Sequence, residues 1–169
     1  MKTLVIHPID ASTDFLFRIY SDIECTLITQ NISKSKLCDQ IRDHDRIIML
    51  GHGDGNGLFG FDRLIINSEL VYLLKEKQTV CIWCYANLFV EKYDLKGFYT
   101  GMIISDYYEA LYESVNATYQ EIDESNLLFA KAIKQAINSD NMLEEAKALY
   151  VTENLNRVID YNSLNLFSR

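Results

Sequence analysis

Arg46-Ile47-Ile48-Met49-Leu50-Gly51-His52-Gly53-Asp54-Gly55-Asn56-Gly57 is the stretch on which the reading of this chain turns. Its apolar start has the length and β-branched content of a short strand, and it runs straight into a glycine-rich loop carrying one histidine. About thirty residues on, Thr79-Val80-Cys81-Ile82-Trp83-Cys84-Tyr85-Ala86-Asn87 follows the same plan and ends its apolar run on a cysteine. Unbroken apolar runs of this kind belong to strands covered on both faces, as in a parallel sheet. If the two strands are parallel neighbours, His52 and Cys84 emerge side by side at one sheet edge.

Outward from this pair, strand and helix patterns alternate. Thr3 to Ile9 reads as a first strand, weakened at its far end by Pro8, and Ser12 or Thr13 caps a helix through Asp14–Tyr20. Glu24 to Gln30 is a second strand, and Ser33 caps a helix with Leu37, Cys38 and Ile41 on its apolar face. After the glycine loop, Leu58–Phe61 and Leu64–Ile66 suggest a hairpin or irregular excursion. Asn67 or Ser68 then caps a helix over Glu69–Glu76. A short helix is expected over Asn87–Tyr93 and a fifth strand over Gly97–Ser105. From Tyr107 to Tyr161 the spacing is helical, with one run opening at Ser125 and another from Met142 to Ile159. The polar tail is expected to fray. This order predicts an α/β fold: a mostly parallel sheet of about five strands flanked by helices, with a C-terminal helical pair. Residues 1–169 are read as one domain, with the sheet core over 1–110 and a helical part over 111–169.

The composition limits what such a domain does. The chain has 169 residues, 49% of them hydrophobic, and a formal net charge of -8. That charge repels phosphate backbones, and the lysines and arginines form no run, so nucleic acid is not an expected partner. Met1-Lys2-Thr3 leads into an apolar run too short for a signal sequence, and no window is apolar enough to span a membrane. A cytoplasmic setting, with no membrane partner, is therefore expected. Thiols stay reduced there, so Cys25, Cys38, Cys81 and Cys84 are read as core or chemical residues and not as a disulfide framework.

A thiol beside an imidazole makes a nucleophile with its own base. In this reading Cys84 attacks and His52 takes its proton or protonates the leaving amine. The backbone N–H groups of Gly53 and Cys84 are natural oxyanion donors, since glycine lets the main chain approach a substrate closely. Asp54, Asp62 and Asp106, together with Glu91 and Glu109, are the acidic residues near the relevant loops. A carboxylate in a pocket beside Cys84 would favour Arg or Lys in the substrate.

An apolar strand ending in His-Gly, followed by an apolar strand ending in cysteine, resembles the caspase-like (clan CD) cysteine peptidases, a group that includes caspases, legumains, gingipains, clostripain and many bacterial relatives. The matching blocks are Ile47-Ile48-Met49-Leu50-Gly51-His52-Gly53 and Val80-Cys81-Ile82-Trp83-Cys84, and the resemblance covers residues 1 to 110. It implies a caspase-like fold and a cysteine endopeptidase with a His52–Cys84 dyad, acting by acyl transfer on protein or peptide substrates without a cofactor. It also admits an activating protein partner. The family often has a small residue before the cysteine and Ser or Gly soon after; here Trp83 precedes it and Tyr85-Ala86-Asn87 follow. The alternative is a catalytically inactive caspase-like module that binds a protein or senses a ligand.

Other readings of the same residues are weaker. Cys81 and Cys84 make a C-x-x-C, but redox pairs sit at a helix start and this one lies along a strand. Zinc needs third and fourth ligands that Cys25 and Cys38 do not supply at a paired spacing, so no metal is expected. The glycine loop lacks the Gly-Lys-Ser/Thr ending of a phosphate-binding loop. Asp54 reads as a solvated turn residue, and His7 and His44 as structural.

Overall fold

The computed structural model describes residues 1–169. From the amino end come β1 (Thr3–Ile6), β2 (Thr26–Ile28), α1 (Lys34–Asp43) and β3 (Arg46–Leu50), with a 3-10 helix over Asp14–Ile19 between the first two strands. The glycine loop folds into a small antiparallel sheet of β4 (Gly53–Asp54), β5 (Gly57–Gly60) and β6 (Arg63–Ile66). Next follow α2 (Val71–Leu74), β7 (Gln78–Ile82), α3 (Ala86–Tyr93) and β8 (Gly97–Thr100). The carboxyl part adds α4 (Tyr107–Tyr112), α5 (Tyr119–Ala136), α6 (Met142–Tyr150), α7 (Arg157–Ser163) and β9 (Leu166–Ser168).

The main sheet has the order β2-β1-β3-β7-β8-β9. Its first five strands are parallel, and β9 runs antiparallel to β8. The protein is thus α/β, with a mostly parallel sheet between helices. Leu4, Ile6, Ile47, Met49 and Cys81 pack on one face with residues of α1, α2 and α3. Val5, Ile48, Leu50, Val80 and Ile82 pack on the other with α5, α6 and α7. Burial on both faces is why these strands show no apolar–polar alternation. Arg46 is the exception. It is only 3% exposed, and its guanidinium donates to Thr3 Oγ1, Ile137 O and Asn138 Oδ1, which ties the start of β3 to the end of α5. No helix is long and apolar enough to cross a membrane.

The structure revises several expectations. The sheet has six strands, because the tail expected to fray forms β9. Gly97 and Arg169 exchange backbone hydrogen bonds of 2.9 and 3.0 Å, and Tyr99 stacks on Phe167 at 5.7 Å. Three residues are too few to carry a periodic pattern, so only the partner strand reveals this one. The C-terminal helical pair becomes four helices. Thr118 and Glu121 form a reciprocal capping box, which starts α5 ahead of Ser125. Met142 to Ile159 is broken, because Asn156 accepts from the N–H groups of Val158 and Ile159 and begins a new helix. The second strand contracts to Thr26–Ile28, and the segment over Asp14–Ile19 is 3-10 with no side-chain cap. The fourth and fifth strands end early, at Ile82 and Thr100.

Candidate active site at the carboxyl edge of the sheet

β3 and β7 pair in parallel with Leu50 opposite Ile82. Their ladder closes with Gly51 N–H donating to Ile82 O at 3.1 Å. Two residues beyond that matched pair, one chain reaches His52 and the other Cys84, and both line one cavity. The sheet therefore brings the two predicted residues to the same edge.

Trp83 explains how the glycine loop is seated. It is 2% exposed, and its indole N–H donates to Asp54 O at 3.0 Å. A Cβ on Gly53 would stand 2.2 Å from Trp83 Cδ1 and 2.4 Å from Gly57 O, so only glycine fits there. The bulky residue before the cysteine and the glycine after the histidine are complementary, and together they hold the β4–β5 hairpin against the end of β7.

After Cys84 the chain turns sharply. Tyr85 adopts a left-handed backbone with φ 63°, its N–H donates to Gly101 O at 3.1 Å, and α3 begins at the next residue. The thiol is largely enclosed, with Sγ 3.6 Å from Ile103 O and 3.8 Å from Glu109 Oε1. Glu109 Oε2 accepts from Ser105 N at 2.7 Å, Ser105 Oγ at 2.9 Å and Asp106 N at 3.2 Å, which holds the carboxylate beside the sulfur. Burial and then the Glu109 carboxylate push the Cys84 thiol up to about 12.

The His52 side chain is 42% exposed. Its Nε2 lies 2.7 Å from Ser12 Oγ and 3.4 Å from Asp10 Oδ1. The Ser12 hydroxyl and amide, with a smaller contribution from His52, hold the Asp10 carboxyl below its ordinary range. On one side of His52 is the cavity shared with Cys84, Thr13, Leu16, Ile103 and Phe129. It measures about 30 Å³, room for a single water. On the other side is an open cleft of about 500 Å³, lined by Pro8, Asp10, Phe59, Phe61, Asp62 and Arg63.

The remaining predicted residues scatter. Asp62 lines the open cleft. Asp54 closes the hairpin turn by accepting from Asn56 N at 2.7 Å. Asp106 caps α4 by accepting from Glu109 N at 2.8 Å, and it lines neither cavity. Glu91 stands on α3 beside Tyr99. Phe59 N–H donates to His52 O at 2.8 Å, which makes the Gly53–Leu58 pair a non-hydrogen-bonded one and leaves Gly53 N–H off the hairpin ladder. Cys84 N–H lies beyond the last bond between β3 and β7.

Sequence reasoning missed Asp10 and Ser12 as partners of His52. Their position after β1, at the same sheet edge, was the available clue; Ser12 read instead as a helix cap. The role of Glu109 was foreshadowed by Asp106-x-x-Glu109, a capping-box pattern. No three His, Cys, Asp or Glu side chains converge to hold a metal. Cys81 is fully buried on the opposite face of the sheet from the Cys84 cavity, so the C-x-x-C does not form a working pair. His7 bonds Tyr20 and Thr13, and His44 bonds Gln40 O and Thr26, both within the framework.

Fold and site together define an α/β protein with histidine and cysteine at the carboxyl ends of adjacent parallel strands. No model of a known protein family matches the chain, and a search of curated proteins finds no match either.

Proposed function

We propose that this protein is a cysteine endopeptidase of the caspase-like fold, acting on protein or peptide substrates. The observation that carries this reading is the register of β3 against β7, which sets His52 and Cys84 around one cavity at a parallel-sheet edge. Cys84 Sγ attacks the scissile carbonyl carbon as His52 takes the thiol proton. The same proton passes to the departing amine, and water then hydrolyses the thioester. Gly53 N–H and Cys84 N–H, both outside the ladders, are the donors for the oxyanion. Substrate binding must widen the enclosed cavity, because about 30 Å³ admits no peptide. The open cleft beside His52 is the natural approach, and Asp10 and Asp62 on its wall favour a basic side chain there.

The test is a peptide carrying a thiol-directed electrophile. Cys84 is expected to be labelled far faster than Cys25, with cleavage abolished by Cys84→Ala and reduced about 10²–10⁴-fold by His52→Ala. Equal labelling of the two cysteines, or cleavage surviving Cys84→Ala, would falsify the reading.

The carboxylate of Glu109 beside a protonated, enclosed sulfur favours a second reading, an inactive caspase-like module that binds a protein or senses a ligand. It predicts no Cys84-dependent turnover for any peptide, together with thermal stabilisation by a bound partner.

A further inference from the structure

We propose that Asp10, acting through the Ser12 hydroxyl, holds His52 as the tautomer protonated on Nε2, leaving Nδ1 as the base for Cys84. The catalytic part of this inference rests on the peptidase reading; the tautomer itself does not.

The argument is a count of protons. Ser12 has one hydroxyl proton and two neighbours competing for it. Asp10 Oδ1 lies 2.6 Å from Ser12 Oγ, and His52 Nε2 lies 2.7 Å from the same oxygen. An ionised carboxylate only accepts, so the serine proton belongs between the two oxygens. Were it turned to the imidazole, two lone-pair-bearing oxygens would face each other at 2.6 Å with nothing between them. Ser12 Oγ therefore offers lone pairs to the ring, and Nε2 must be the donor. Nδ1 has no hydrogen-bond partner in the chain, and its lone pair is free while the ring borders the Cys84 cavity.

The supporting loop is itself held in place. His7 N–H donates to Ile28 O at 2.9 Å, and Thr13 N–H donates to Asp10 O at 3.1 Å. Ser12 N–H adds a second bond to Asp10 Oδ1 at 2.9 Å. When His52 accepts the thiol proton it becomes a cation, and Ser12 and Asp10 already stand at its far nitrogen to stabilise that charge. Asp10 and Ser12 are thus positioning residues. The other charged or titratable groups around His52 are Asp62 and Arg63 in the open cleft, with Cys84 and Glu109 around the enclosed cavity.

The experiment is long-range ¹⁵N–¹H correlation NMR of the intact chain labelled on its histidines, followed through a pH titration. It compares the native protein with Asp10→Asn, Ser12→Ala and Ser12→Thr. Native His52 is expected to be Nε2-protonated when neutral. Asp10→Asn and Ser12→Ala should mix the tautomers, while Ser12→Thr, which keeps the hydroxyl, preserves the native pattern. In a cleavage assay kcat should fall about tenfold to a hundredfold, the worth of one charge-assisted hydrogen bond, with little change in KM. An Nδ1-protonated native ring overturns the inference, as does a spectrum unmoved by either disruptive variant. If the spectra change as expected while no Cys84-dependent cleavage exists, the tautomer assignment stands and the peptidase reading is the one that fails.

Discussion

Cys84 carries a protonated sulfur at rest, and its neighbours say why. The side chain is enclosed by Ile103, Phe129 and Leu16, and the nearest charge is the Glu109 carboxylate at 3.8 Å. Both disfavour thiolate, so under the proposed peptidase reading nucleophilicity would have to come from proton transfer within a bound complex and not from a standing ion pair. A small alkylating reagent such as iodoacetamide should therefore react slowly with Cys84 at neutral pH, with a rate still climbing above pH 10. Glu109→Gln removes the neighbouring charge but leaves burial, the larger cause, in place. Its labelling should quicken only several-fold at pH 8, read by mass spectrometry of the modified peptide. A thiol that labels to completion at neutral pH as fast as free cysteine would contradict this account. The placement of His52 and Cys84 just beyond two strand ends was legible from the apolar runs that precede them. Their surroundings were not, because Asp10 and Ser12 come from the loop after β1 and Glu109 from the first turn of α4, which only folding brings to the pair.

At the scale of elements, the wall of the cavity is set by the C-terminal helices. Asn162 on α7 uses its amide as a strand would: Oδ1 accepts from Ile104 N at 2.8 Å, and Nδ2 donates to Ile104 O at 2.9 Å. Nδ2 also approaches Tyr150 OH at 3.1 Å, and Tyr150 OH bonds Ser125 Oγ at 2.7 Å. This buried network fixes the segment after β8 whose Ile103 carbonyl meets the Cys84 thiol. Asn162→Ala strands a backbone donor and acceptor in the interior, so it should cost about 2–4 kcal/mol, measured by urea unfolding. It should also speed Cys84 alkylation as the wall loosens. An unchanged unfolding midpoint would show that the network holds nothing. The helical periodicity of this region was plain in the sequence, but its division into four helices depended on caps at Thr118 and Asn156, which override the apolar spacing.

Across the whole molecule, burial of acidic protons ties stability to alkaline pH. Cys81, Cys84 and Tyr150 are each pushed up to about 12, above ordinary values of 9 for thiols and 10 for tyrosine, chiefly by desolvation. In the unfolded chain these groups lose their protons at the ordinary values, while the folded chain keeps them. Their contribution is whole below about pH 9 and declines as pH climbs toward 12, because there the folded state binds more protons than the unfolded one. Each group steepens the decline by up to ~1.4 kcal/mol per pH unit once its unfolded form is ionised. Unfolding free energies at pH 8, 10 and 11 should therefore fall progressively, and a Cys84→Ser chain should fall less. A flat profile over that interval would refute the assignment.

What the amino-acid order determined by itself was local and periodic: apolar strands covered on both faces, helices between them, and a histidine and a cysteine where two strands end. Those follow from side-chain spacing and turn chemistry, which act over a few neighbours. Only the tertiary structure decided that the tail closes the sheet, that Trp83 needs Gly53 beneath it, and that Ser12 and Glu109 sit at opposite sides of the histidine–cysteine pair. Partner strands, close packing and proton ownership depend on groups 25 or more residues apart meeting at close range, and no periodicity in the chain encodes such a meeting.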